Sequence, residues 1–222
     1  MIKGTRMMMK RGGTPPLPYD AEVKYLESTG TQYIDTGVYG NDNLIASVSC
    51  MATAESGSVR DVFGAIDTTH DVFGYYFRVR IPSNSMVQYT AGLNTRAAYK
   101  ITVTSIGDWH ALTLDTTTGS KKIFVDGAQS GSTVNDSAYP MATKLYLFAQ
   151  NNKNGTANDF SANVRVSAFS IKDAMTNKFI LDIVPVRFTN ELGQSEGAMY
   201  DRVSGQLFRN AGTGAFVVGP DK

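Results

Sequence analysis

From Ala21 to its last residue the chain places apolar side chains at every second position, in short runs broken by clusters of Gly, Asn, Asp, Ser and Thr. A two-residue period puts successive side chains on opposite faces of an extended strand, whereas a helix needs a 3.6-residue stripe. Leu44, Ala46, Val48, Cys50 and Ala52 alternate with Ile45, Ser47, Ser49, Met51 and Thr53, so the first set can face a core. Phe73, Tyr75, Phe77, Val79 and Ile81 make a second such stripe, with Gly74, Tyr76, Arg78 and Arg80 on its other face. Further strands are expected at Tyr99–Thr104, His110–Asp115, Lys122–Val125, Leu145–Ala149, Val164–Ile171 and Phe179–Val186. Asp126-Gly127 reads as a two-residue hairpin turn, because both residues tolerate positive φ. Asn151 to Asn158 reads as a longer polar loop. No three-turn helical stripe and no crossover helix is visible. The fold class is therefore all-β, an antiparallel sandwich or barrel.

A chain of 222 residues is long enough to hide roughly 70% of its unfolded surface without covalent staples. The single Cys50 has no internal disulfide partner and reads as a small buried apolar residue. His70 and His110 are too few and too far apart for a zinc site. Lysine plus arginine (21) balances aspartate plus glutamate (20), so no global field steers the chain onto nucleic acid or an anionic membrane. Charge is nevertheless uneven. Lys3, Arg6, Lys10 and Arg11 all precede the first acid, Asp20, in a stretch that also holds Gly12, Gly13, Pro15, Pro16 and Pro18. That composition resists helix and sheet alike, so residues 1–19 are expected to be an extended basic arm ahead of a sandwich at 20–222. The apolar run Met7–Met9 is too short for an export signal, and no stretch approaches a membrane span. The expectation is synthesis and retention in the cytoplasm until lysis or assembly.

Two stretches go beyond generic β sequence. Asp108-Trp109-His110-Ala111-Leu112-Thr113-Leu114-Asp115, followed by Lys122-Ile123-Phe124-Val125-Asp126-Gly127, resembles the strand pair of laminin-G-like and pentraxin-like domains. The opening Tyr25-Leu26-Glu27-Ser28-Thr29-Gly30-Thr31-Gln32-Tyr33-Ile34-Asp35-Thr36-Gly37 resembles a concanavalin-A-like subfamily common in proteins of gut bacteria and their phages. So do the closing Met199-Tyr200-Asp201-Arg202-Val203-Ser204-Gly205-Gln206-Leu207-Phe208 and the tail Gly212-Thr213-Gly214-Ala215-Phe216. The resemblance implies a curved two-sheet antiparallel jelly roll of the concanavalin A-like lectin/glucanase type, whose concave face or rim loops often hold glycans, sometimes with calcium. One fold hosts many functions, so the resemblance alone does not assign one.

Some relatives of this fold are glycoside hydrolases, which need paired carboxylates. Glu22, Glu27, Glu55, Glu191 and Glu196 are expected near turns or termini rather than alternating along one strand, so catalysis is not expected. Asp61, Asp67 and Asp71 are expected around one loop, where they could ligate calcium or simply cap Asx-turns. For a sugar, which needs a stacking ring flanked by amide or guanidinium donors, the best set is Tyr76, Arg78, Arg80, Tyr89, Asn151 and Asn152. The competing reading is that these tyrosines pack across strands. Trp109 and His110 are assigned to the core hairpin. The combined expectation is a non-enzymatic phage virion accessory protein: a capsid decoration, fibre or tail adhesin. Lys3, Arg6, Lys10 and Arg11 would dock on other virion proteins, and the sandwich would face host or mucus glycans. Such proteins are commonly symmetric oligomers, although no heptad here specifies a trimer. The alternatives are a free-standing bacterial carbohydrate-binding module and a degenerate hydrolase.

Overall fold

The computed structural model describes residues 16–54, 60–67, 75–81, 88–92, 98–102, 106–135, 141–153 and 155–222. Within 75–102 the description is of backbone course and strand pairing. The strands, in chain order, are β1 (Ala21–Glu22), β2 (Leu26–Ser28), β3 (Ile34–Tyr39), β4 (Leu44–Ala52), β5 (Arg60–Asp67), β6 (Tyr75–Ile81), β7 (Gln88–Gly92), β8 (Ala98–Thr102), β9 (His110–Asp115) and β10 (Lys121–Val125). They continue with β11 (Ala128–Val134), β12 (Lys144–Leu147), β13 (Gln150–Asn151), β14 (Ala157–Asn158), β15 (Val164–Asp173), β16 (Phe179–Thr189), β17 (Ser195–Asp201), β18 (Leu207–Phe208) and β19 (Val217–Val218). No helix occurs among the described residues.

Two sheets result. The larger runs β11-β10-β9-β4-β15-β16-β17-β18, with β1, β2 and β19 at its flank. The smaller runs β14-β13-β5-β6-β7-β8, with β3 and β12 joined to it. Alternation in β4 resolves as its sequence requires: Leu44, Ala46, Val48, Cys50 and Ala52 are all buried. They meet Leu112 and Leu114 of β9, Val166, Phe169 and Ile171 of β15, and Val62 and Phe63 of β5 in one core between the sheets. Two ring pairs bind the layers across it, Phe63 with Phe169 at 5.1 Å and Phe148 with Phe216 at 4.9 Å. Each such pair is worth about 0.5–1.5 kcal/mol beyond its burial.

The hairpin at Asp126-Gly127 forms as expected. Asp126 and Gly127 both have positive φ (51° and 81°), and Val125 faces Ala128 across the two-residue loop. The Asp126 carboxylate also accepts the Ala111 amide and contacts His110 Nδ1 at 2.9 Å. That contact holds its carboxyl below the usual range, through the His110 hydrogen bond first and the Ala111 amide second.

Two features of the fold have no counterpart in the alternation pattern. Strand β13 runs parallel to β5, although β12 just before it runs antiparallel to the same strand. The reversal turns on Phe148, which adopts φ 69° while wholly buried. A left-handed backbone costs a bulky residue about 1–2 kcal/mol, which the Phe148 ring offsets by packing on Phe216. A second, smaller apolar cluster of Val184, Val186, Phe188 and Ala198 lies on the opposite face of β16 and β17 from the main core. Tyr19 caps it, its ring 4.9 Å from Tyr200, and the Asp20 amide donates to Arg187 O. Among the described residues, packing of the sandwich thus begins at Tyr19.

Candidate functional site

The opening motif and the tail, which carry part of the resemblance, prove to be one structural unit. Gln32 is buried. Its Oε1 accepts the Thr29 amide and the Ser28 and Thr29 hydroxyls, and its Nε2 donates to Thr213 O, 181 residues away in sequence. The Thr31 hydroxyl donates to the same Thr213 carbonyl at 2.8 Å, and the Ala211 amide donates to Tyr33 O. Gly212 is required there, because a Cβ on it would lie 2.0 Å from Thr31 O. The closing motif is self-contained in the same way. Asp201 Oδ1 accepts the amides of Asp182 and Val203, and Oδ2 accepts the amide and hydroxyl of Ser204. Burial pushes this carboxyl up, but the Ser204 hydroxyl and the three amides together outweigh it and hold the group below the usual range. Asp201 is the keystone of a turn.

The expected sugar set is only partly brought together. Tyr76, Arg78 and Arg80 occupy alternate positions of β6, opposite Ile66, Gly64 and Asp61 of β5. Thr90 of β7 stands opposite Arg80 and Ala91 opposite Val79, so Tyr89 falls on the other set of alternate positions. Their side chains lie outside the described residues. Asn151 is buried rather than exposed in a loop: its Nδ2 donates to Lys144 O, and its buried Oδ1 has no hydrogen-bond partner among the described residues. Asn152 is half-buried and accepts from Gln150 Nε2.

The aspartates do not gather around one loop. Asp61 and Asp67 are both buried, at opposite ends of β5. They stand six positions apart along the strand, roughly 20 Å at ~3.3 Å per residue, so they cannot share an ion. Asp71 lies outside the described residues, as do Lys3, Arg6, Lys10 and Arg11 of the arm. Among the described residues no group of three or more His, Cys, Asp or Glu side chains converges as a metal site would require.

Two surface depressions lined by described residues are open to ligand. One, of about 440 Å³, is lined by Asp35, Lys144, Ile180, Asp201, Ser204 and Phe208. The other, of about 510 Å³, is lined by Glu196, Arg209, Asn210, Gly212 and Gly214. Their polar groups are largely engaged. Asp35 accepts the Gly37 amide and lies 3.9 Å from Lys144 Nζ, and Glu196 accepts from Asn190 Nδ2. Asn210 Oδ1 takes the amides of Tyr33 and Gly212, while Arg209 stacks over Phe188. Three glutamates, Glu22, Glu27 and Glu196, lie on strands rather than in turns, yet each is held by a donor from a neighbouring strand or segment.

The outer face of the larger sheet carries a different arrangement, which the sequence reading missed. Trp109 is not a core residue: it is 42% exposed at the entrance to β9. Its partner His110 points between the layers, opposite Cys50. The Trp109 ring lies 6.4 Å from that of Tyr25, and the Arg165 guanidinium stacks over Tyr25 at 4.3 Å. Arg165 of β15 pairs across the sheet with Glu27 of β2, Nε to Oε2 at 2.7 Å, and Glu27 Oε1 accepts the Thr53 hydroxyl. Hydroxyls pave the sheet beside them, with Ser47 bonded to Thr113 and Ser167 to Ser49, each at 2.8 Å. The outward position of Arg165 between buried Val164 and Val166 was readable from alternation. Its meeting with Tyr25 and Trp109 was not.

No protein-family model matches this sequence, and no curated protein resembles it at the sequence level. Solved structures do. A heptameric SAP-like pentraxin from Limulus polyphemus superposes with TM-score 0.52 at 10% identity, covering 94% of this chain and 98% of that one. A candidate carbohydrate-binding protein from Bacteroides ovatus superposes with TM-score 0.53 at 13% identity, over 90% of this chain and 61% of that chain, which is therefore considerably longer. Mouse laminin α1 domains LG4-5 give TM-score 0.49 at 13% identity, over 97% of this chain and 51% of theirs. The chain has the two-sheet lectin-like jelly-roll fold that its opening, hairpin and closing motifs imply.

Proposed function

We propose that this protein is a non-catalytic adhesion module that binds glycans through an open sheet surface. The observation that carries this reading is the contrast between its acids and its outer face. Carboxylates in the depressions are held by amides, hydroxyls and cations, and Asp201 is more acidic than normal, the reverse of what a general acid needs. The outer face of the larger sheet offers rings, a guanidinium and hydroxyls on a rigid support, the group types a sugar requires. The fold shared with the Bacteroides ovatus protein supports the same ligand class.

The finer reading is a virion accessory protein, a decoration, fibre or tail adhesin docked through Lys3, Arg6, Lys10 and Arg11, with the sandwich turned outward. The basic Pro/Gly composition of residues 1–19 and the resemblance of the opening and closing motifs support it. The Asp61, Asp67 and Asp71 set does not fit one calcium ion, so no part of this reading depends on calcium.

The test is a printed array of neutral and acidic oligosaccharides probed with the full chain, run beside a polysaccharide hydrolysis assay. Binding without hydrolysis is expected. A silent array, or release of reducing ends, overturns the adhesion reading. Deletion of residues 1–19 tests docking separately: particles that still incorporate the truncated protein rule out the arm as anchor.

A further inference from the structure

We infer that Trp109 is the stacking platform of a subsite for a neutral hexopyranose, with Arg165 and Glu27 as its polar wall. This rests on the adhesion reading above and gives it a location distinct from the expected Tyr76, Arg78, Arg80 and Tyr89 set.

The first argument is exposure. Trp109 is the sole tryptophan of the chain and is 42% exposed, although this sandwich buries aromatic rings such as Phe63, Phe148 and Phe169 completely. Indole is the side chain with the largest apolar face, so an exposed one offers the widest surface on which a sugar ring can stack.

Rigidity is the second. Tyr25 lies against Gly219, where a Cβ would come within 2.9 Å of its ring, and the Arg165 guanidinium stacks on it. The Gly219 amide donates to Tyr25 O, so the backbone that positions the ring is fixed by the C-terminal strand. Arg165 is fixed in turn by its Nε contact to Glu27, and Glu27 by Thr53. A platform held this way loses little freedom when a ligand arrives.

The third argument sets the ligand class. With its Nε committed to Glu27, Arg165 retains its two terminal nitrogens as a planar fork for adjacent hydroxyls. Each Glu27 oxygen, already accepting one hydrogen bond, keeps a second lone pair for a sugar hydroxyl. Charge selects against acidic sugars. The Arg165 guanidinium is met by the Glu27 carboxylate at 2.7 Å, so this pair leaves no positive excess to attract a carboxylate. A neutral pyranose lying with its C–H face on indole and its hydroxyl edge toward Arg165 and Glu27 satisfies all three.

Because Trp109 is the sole tryptophan, intrinsic fluorescence of the full chain reports on this subsite directly. Titration with the neutral oligosaccharide that binds most strongly on the array should shift and saturate its emission. Trp109→Ala should weaken binding about tenfold or more, a loss of about 1.4 kcal/mol, while leaving the melting temperature within a few degrees of wild type. Trp109→Phe should recover part of the affinity, and Arg165→Lys should weaken binding by removing the fork. Wild-type affinity in Trp109→Ala, with binding lost instead in Tyr76→Ala and Arg78→Ala, overturns this location while leaving the adhesion reading standing. Absence of glycan binding overturns both. An emission shift that follows protein concentration, without sugar, identifies the patch as a contact between copies and also overturns the proposal.

Discussion

Gly212→Ala is the substitution most sensitive to how the two ends of the chain are joined. Its new Cβ would sit 2.0 Å from Thr31 O, with Tyr33 Cδ1 a further 3.1 Å neighbour. Neither atom is the free end of a flexible side chain, so relief requires moving one backbone segment by roughly 1.5 Å to restore ordinary van der Waals separation. That motion opens the ladder between the segments, Ala211 N to Tyr33 O at 2.9 Å and Thr213 N to Thr31 O at 3.1 Å. Two lost hydrogen bonds cost about 1 kcal/mol each, and residual overpacking adds about 1–3 kcal/mol. The sum is about 3–5 kcal/mol, which for a domain of this size lowers the melting temperature by roughly 10 °C. Gly37→Ala is the internal control. At φ 72° with nothing within 4 Å of the new Cβ, it carries backbone strain alone, about 1–2 kcal/mol. Thermal and urea unfolding followed by far-UV circular dichroism measure both. Equal destabilisation in the two variants, or a Gly212→Ala melt within 2–3 °C of wild type at the ~2–4 °C per kcal/mol expected here, would refute the claim that the opening motif and the tail form one tightly packed unit.

Other consequences follow from single groups. Asp201 is more acidic folded than unfolded, so its contribution is present above the ordinary carboxylate pKa and is lost as pH falls through the folded value. Asp201→Asn should therefore destabilise the protein at pH 7, and the gap from wild type should narrow below about pH 4; a gap independent of pH contradicts the assignment. Cys50 is fully buried, and burial first, with the Asp126 charge second, pushes its thiol up. It should resist an aromatic disulfide reagent in the native protein and react at once in denaturant, and rapid native labelling would show the core to be open there. Tyr19→Ala removes the ring that caps Val184, Val186 and Phe188, and should cost about 1–2 kcal/mol by urea unfolding. No measurable loss would mean that packing of the sandwich begins later than residue 19.

What the sequence determined is local. Period-two alternation marked β4, β9, β10, β15 and β16, because a strand with one buried face leaves that record in its own residues. The Asp126-Gly127 turn was equally legible, since only a few residues accept its φ values. What tertiary structure decided is everything that depends on which strand lies beside which. Trp109 looked like a core residue from its place beside a buried strand, yet it sits at the strand entrance and faces out. Asp61 and Asp67 are close in sequence, and an extended strand drives them apart. Gln32 and Thr213 are at opposite ends of the sequence, and the sheet order brings them into hydrogen-bond contact. Tyr25, Glu27 and Arg165 each alternate unremarkably along their own segments and come into contact only because β2 and β15 pair at that register. Local pattern fixes which face a side chain occupies, whereas the neighbours it meets there are set by long-range strand pairing that no single segment encodes.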